Sequence, residues 1–242
     1  MERWSLRERL QQFQTRIVKM KDIKMVDIKA CIFDLDGVVV DTAKYHYLAW
    51  KRLANELGFE FHDNDNERLK GISRLDSLNI LLEIGKVTLS INRKEELAVL
   101  KNQWYLEYIA KMKPDEILPG VKEFIEELKD SGIKIGLGSA SKNAVLILNQ
   151  LGIVHLFETI VDGTKVTNAK PNPEIFLLAA RELNVNPAQS VVFEDAEAGI
   201  EAAIRGGFRN VGVGNPKILS KADIVLPNFI GVTKDKFFSL IN

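Results

Sequence analysis

Six short apolar runs, rich in β-branched residues, recur along this chain of 242 residues and constrain its fold more than any other feature. They span Ile28–Asp34, Ile133–Gly138, Thr159–Asp162, Ser190–Glu194, Asn210–Val213 and Asp223–Leu226. Continuous apolar runs of this length suit strands that are covered on both faces. Helical spacing fills the intervals at Val121–Asp130, Asn143–Leu151, Glu174–Leu183 and Ala196–Gly206. In the first of these, Val121, Phe124, Ile125 and Leu128 share one face. Strand and helix in alternation predict an α/β fold with a parallel sheet and right-handed crossovers. Ligands of such sheets bind beyond the carboxyl ends of the strands. Several of the runs end there on polar residues: Asp34, Gly138-Ser139-Ala140-Ser141 and Glu194-Asp195.

The alternation breaks between the first two runs. Residues 44–113 hold no good strand and read as helices at Tyr45–Leu57, Ser73–Glu83 and Arg93–Lys111. The expected division is therefore a core built from residues 25–42 and 114–242, with an inserted all-helical cap over 43–113. Two chain crossings would form a hinge and let the cap close over the strand ends. Residues 1–24 stand apart as an N-terminal extension, in which Leu6, Leu10, Phe13 and Ile17 have amphipathic helical spacing. Met20 or Met25 is an alternative start, and the sequence leaves both readings open.

Composition narrows the class of partner. Formal charge is zero, which gives no reason to expect nucleic acid or an anionic membrane surface. No stretch reaches the roughly 18 apolar residues of a membrane span, and the first residues lack the apolar centre of a secretory signal. Cys31, the sole cysteine, has no partner for an internal disulfide and reads as a small strand residue. A cytoplasmic protein acting as a monomer is expected.

The chemistry concentrates at Phe33-Asp34-Leu35-Asp36-Gly37. Alone, such an aspartate pair is an ordinary turn or capping feature. Asp36-Gly37, however, permits a sharp turn that can aim both carboxylates at one site, and Glu194-Asp195 adds a second acidic pair at another strand end. Asp34, Asp195 and backbone oxygen make a hard-oxygen environment suited to Mg²⁺. Ser139, Ala140 and Ser141 open a helix after a strand, where hydroxyls and free amides either cap the helix or receive phosphate. Lys170 precedes Pro171 in a stiff loop and is either a solvated lysine or a cation for the same anion.

With these residues in place, the chain resembles the haloacid dehalogenase superfamily of phosphotransferases. The four short motifs of that superfamily occur in order as Asp34-Leu35-Asp36-Gly37, Ser139, Lys170-Pro171 and Glu194-Asp195, and the likeness runs from about residue 26 to the C-terminus. It implies a Rossmann-like core, an aspartyl-phosphate intermediate and Mg²⁺ held around Asp34, Asp36, Glu194 and Asp195. Within the superfamily the resemblance narrows to the β-phosphoglucomutase family, on the stretch from Phe33 to His46, Ala49-Trp50, Leu69–Arg74, Asp76-Ser77-Leu78, Ser139–Asn143 and Gly212–Pro216. Residues before 25 have no counterpart in that family.

This resemblance implies interconversion of β-D-glucose 1-phosphate and glucose 6-phosphate through a 1,6-bisphosphate, with a small phosphosugar as the partner. Asp34 is implied as nucleophile and Asp36 as acid/base, with a pKa raised by cap closure and neighbouring charge. Ser139, Ala140, Ser141 and Lys170 would surround the transferring phosphate. Arg74, Lys142 and Asn143 would hold the other, with Lys70, Gly71 and Ser77 completing the pattern on the cap. Thr42 and His46 would couple cap closure to Asp36; His46 also reads as a structural histidine. Trp50, Leu69 and Lys101 would line the sugar pocket. A sugar-phosphate phosphatase on the same scaffold is the nearest alternative, and a non-catalytic phosphosugar-binding protein the next. An NAD-binding domain is disfavoured because no G-x-G-x-x-G follows the first strand.

Overall fold

The computed structural model describes residues 27–69 and 73–241. Six strands form one all-parallel sheet: β1 (Ala30–Phe33), β2 (Lys134–Gly138), β3 (Thr159–Val161), β4 (Ser190–Glu194), β5 (Arg209–Val213) and β6 (Ile224–Leu226). Their order is β3-β2-β1-β4-β5-β6. The chain winds outward from β1 in one direction through β2 and β3, then returns to the other side of β1 with β4. That reversal opens a crevice at the carboxyl ends of β1 and its neighbours, which is where ligands bind in sheets of this kind.

The two-residue period of a strand decides which side of β1 faces which helices. Cys31 and Phe33 pack into the same core as Val121, Phe124, Ile125 and Leu128 of α5 (Val121–Asp130). Ala30 and Ile32 join the opposite core with Ile175, Phe176 and Ala179 of α7 (Glu174–Glu182) and Ala202 and Ala203 of α8 (Glu197–Arg205). On the first side, Phe33 stacks on Phe193 of β4 with ring centroids 4.5 Å apart, and Phe124 meets both rings edge-on. Parallel register places Phe33 beside Phe193, so the residues that follow, Asp34 and Glu194, emerge side by side at the strand ends.

Among the described residues, four helices lie between β1 and α5: α1 (Ala43–Glu56), α2 (Asp63–Glu67), α3 (Arg74–Ile84) and α4 (Ile91–Ile109). Ser73 and Ser90 accept from Asp76 N and Arg93 N and so start α3 and α4 with side-chain caps. α1 lies along α4, and Trp50, Leu53, Leu97, Trp104 and Tyr105 are buried there. The chain segments entering and leaving the insertion are paired. Val40 forms an antiparallel bridge to Ile117, and Leu118 N donates to Val39 O at 2.9 Å. Beside that bridge, Lys44 Nζ lies 2.6 Å from Glu116, which also accepts from the Tyr45 hydroxyl.

The fold extends the sequence reading at two helices. α2 carries DNDNE and has no apolar stripe to betray it; reciprocal capping between His62 and Asp65 closes its first turn. The terminal α9 (Lys234–Ile241) is short and anchors through Phe237 and Ile241 against the aromatic core. α6 (Ala144–Gln150) completes the set among the described residues. No helix of the described residues is long and apolar enough to cross a membrane. The 1–24 extension, Lys70 and Gly71 lie outside the described residues.

Candidate active site

Asp34 is the first residue past β1, and its amide still donates to Phe193 O at 2.9 Å, which fixes its direction from the sheet. Lys170, on the loop before α7, places its ammonium 2.5 Å from Asp34 Oδ1 and 2.8 Å from Glu194 Oε2. Burial works against the lysine's charge, but the two carboxylates more than offset that and hold its pKa above the ordinary lysine range. Carboxylate oxygens of Asp34, Glu194 and Asp195 lie within 4.8 Å of one another. Burial, followed by the neighbouring Asp34 charge, raises the pKa of Asp195, and Glu194 is raised by burial despite Lys170. Three carboxylates around a single lysine leave negative charge in excess. This all-oxygen donor set can hold a hard divalent cation.

Two glycines make this crowding possible. Gly37 has φ +75°, and a Cβ there would overlap the carboxylate of Asp195. Gly199, in the first turn of α8, leaves room for the Glu194 side chain, which a Cβ would strike. The turn at Gly37 is legible in the sequence, whereas the packing role of Gly199 is not. A lone glycine inside a helical pattern was the available signal.

Asp36 is not one of the three clustered carboxylates. Its carboxylate accepts a hydrogen bond from Thr42 Oγ1, at the point where the chain leaves the core. It is partly exposed but crowded on most sides. Burial, with the charges of Asp34 and Asp195 adding to it, pushes its pKa up to about 7 against the lowering effect of Thr42. The sequence-based expectation of a raised pKa thus has a physical basis.

The loop after β2 folds on itself: Ser139 Oγ accepts from Ser141 N at 3.1 Å, and Ser141 Oγ accepts from Asn143 N at 3.3 Å. Ser139 is buried, while Ala140 and Lys142 are exposed. Gly163 approaches so closely that a Cβ would meet Ala140 O, so the loop after β3 braces this turn.

From the insertion, His46, Trp50 and Lys101 converge. Lys101 is 2% exposed, its Nζ is 2.8 Å from His46 Nδ1, and it sits 4.4 Å over the Trp50 ring. Burial, then the charge of Arg74, lowers the Lys101 pKa to about 7, and the same burial with Lys101 and Arg74 pushes His46 well down. Leu69 and Ser77 are buried within the insertion, while Arg74 is exposed. Tyr105, one helical turn beyond Lys101, stacks on His46 with centroids 4.1 Å apart. It lies outside the motifs that the sequence offers. Its signal was the four-residue spacing from Lys101 on one helix face.

Residues 28–207 match the haloacid dehalogenase-like hydrolase family. The chain is 46% identical to the beta-phosphoglucomutase of Bacillus subtilis, covering 82% of this chain and 89% of that protein. It is 33% identical to a phosphorylated carbohydrates phosphatase of Thermotoga maritima, over 76% of this chain and 84% of that one. The crystal structure of beta-phosphoglucomutase from Clostridium difficile superposes with a TM-score of 0.80 at 45% identity, covering 89% of this chain and 97% of that chain.

Proposed function

The chain belongs to the haloacid dehalogenase-like hydrolase family, and from that premise we propose that it is a β-phosphoglucomutase, moving a phosphoryl group between C1 and C6 of glucose through a phospho-aspartate. The observation that carries this reading is the near full-length likeness to β-phosphoglucomutases in both sequence and fold. The proposed division is the one expected from the sequence: core residues 25–42 and 114–242, with 43–113 as a cap. The sole cysteine, Cys31, is buried in β1, which suits a reducing compartment, and we place the enzyme in the cytoplasm.

Asp34 is the nucleophile. As a carboxylate it takes the phosphoryl group from a sugar oxygen and later returns it to the other sugar oxygen. Lys170, held between Asp34 and Glu194, supplies positive charge beside the transferring group, together with Ser139 Oγ and the amides of the 139–141 turn. Asp36 gives a proton to the departing sugar oxygen as Asp34 is phosphorylated. In the reverse step it removes a proton from the attacking sugar hydroxyl. A pKa near 7 suits both tasks at neutral pH. Thr42 orients the carboxylate for them. Asp34, Glu194 and Asp195, with Asp36 at the same turn, are the residues that would hold Mg²⁺, which when bound screens the carboxylates from the anionic phosphate. A mutase substrate carries a phosphate at each end during turnover, so a second anion site is required. Arg74 on the cap, with Lys142 and Asn143 on the core and Lys70, Gly71 and Ser77 as further members, is the proposed one.

A phosphatase would share the nucleophile, lysine and acidic cluster and differ only in using water as acceptor. The relationship to the Thermotoga maritima phosphatase keeps that reading as an outcome of the test. Purified protein is given β-glucose 1-phosphate, Mg²⁺ and a trace of glucose 1,6-bisphosphate while glucose 6-phosphate and free phosphate are followed together. Glucose 6-phosphate rising ahead of phosphate, and only with the primer, is the expected result. Phosphate without isomerised sugar would make the chain a phosphatase.

A further inference from the structure

Among the described residues, Tyr105 Oη is the one buried side-chain polar atom without a hydrogen-bond partner. The residue is 1% exposed, and its ring is fixed by the stack on His46 and by Lys101 Nζ 5.2 Å from its centroid. Its hydroxyl does not end in an apolar core. Thr42 and Ser141 lie beside it without a hydrogen bond of good geometry, and it feels the charges of Asp36 and Arg74. These four neighbours come from the core turn, the first chain crossing, the phosphate loop and the cap. The phenol therefore reaches the seam between the two parts at the site itself. A buried hydroxyl left unpaired in such a place costs stability, and folds retain such a group where it serves a ligand.

Resting on the mutase reading, we propose that Tyr105 is a substrate-binding residue whose hydroxyl donates to a phosphosugar oxygen lying between Ser141 and Arg74. Burial, followed by the Asp36 charge, raises the phenol's pKa, so it stays protonated and is a donor throughout the neutral range. Thr42 has its own proton engaged by Asp36. Arg74 supplies charge at the same place but no neutral donor, and a phenol held by ring stacking loses little freedom on binding. Tyr105 would thus select for a sugar phosphate over a bare phosphate, because only the former extends from Asp34 to the cap.

The test is Tyr105→Phe, which keeps the ring and its stack. Relative to the parent, KM for β-glucose 1-phosphate should rise at least about tenfold, with a smaller change in kcat, while the melting temperature holds or rises because a buried unpaired hydroxyl is gone. An unchanged KM within twofold overturns the assignment and leaves the mutase reading standing. Should the variant melt well below the parent, Tyr105→His, which retains a ring donor, decides. A KM near the parent's supports the hydrogen bond, and one as poor as that of the phenylalanine form overturns it. If the parent only releases phosphate from glucose 6-phosphate, the mutase reading alone falls, and the same KM comparison on that hydrolysis judges Tyr105. If the parent does neither, glucose 6-phosphate binding is measured by calorimetry. Tenfold weaker binding by the variant supports the contact; equal affinities, or no binding by the parent, overturn it.

Discussion

Thr42 Oγ1 donates to Asp36 Oδ1 across the point where the chain leaves the sheet for the inserted helices. The acid/base candidate is thereby held by the residue at the N-cap of the first helix after the sheet. Thr42→Val keeps the branched shape and removes only the donor. Steady-state kinetics should show kcat lower by about tenfold to a hundredfold, with a melting temperature within a few degrees of the parent. Unaltered kcat would mean that Thr42 merely satisfies a turn.

The two aspartates should fail differently. Asp34→Asn removes the nucleophile, so intact-mass spectrometry after exposure to glucose 1,6-bisphosphate should find no phosphorylated protein. Asp36→Asn keeps Asp34 and should still allow a phosphorylated species to be detected, while turnover at saturating substrate drops by about 10²–10⁴-fold. Near-parental turnover by the Asp36 variant would remove it from the acid/base role.

Gly199→Ala separates packing from propensity. Alanine is better than glycine by about 1 kcal/mol inside a helix, and Gly199 has an ordinary helical conformation, so without a clash the change would stabilise the protein. Its Cβ would instead strike Glu194, one member of the acidic cluster. The concentration of Mg²⁺ giving half-maximal activity should rise about tenfold or more, and the melting temperature should fall. A more stable protein with normal metal response would show that Glu194 has room to move.

Lys101 gives a pH test with a definite sign. Its pKa falls from 10.5 in the unfolded chain to about 7 in the fold, through burial and then Arg74, with His46 and Tyr105 as its other close neighbours. Between those values the unfolded chain binds more protons, so this residue's contribution to stability rises as pH climbs from 7 toward 10.5. Lys101→Met should therefore melt higher relative to the parent at pH 6.5 than at pH 9.5, the difference shrinking by about 3 °C or more. A constant difference across pH would place an ordinary, charged lysine there.

Most of the sheet was legible because its strands are buried on both faces. Ile28–Asp34 and Ser190–Glu194 needed only local apolarity to be read; β1 starts two residues later and ends one earlier than expected, and β4 has the expected bounds. Parallel pairing of Phe33 with Phe193 then brings Asp34 and Glu194 together, a consequence no single segment reveals. Lys170 reads as a solvated loop lysine until the fold carries it 136 positions back along the chain to Asp34. Asp63–Glu67 escaped notice because its helix is made by caps and not by an apolar stripe. Tyr105 escaped because its value lies in what surrounds its hydroxyl, and those neighbours come from three distant stretches of sequence.

The bridge between Val40 and Ile117 has a mechanical implication. Two unlinked strands of chain would let the helical insertion twist and slide as well as tilt, like a plate on two strings. Joined to one another, and clasped by Lys44 and Tyr45 on Glu116, they would behave as a single ribbon, which bends readily across its width and resists shear. Such a flexure would return a closing cap to the same registration on every stroke. In a reaction that must present first one end of a sugar and then the other to a fixed Asp34, the variable element would then be the orientation of the guest, with the jaws always meeting in one way.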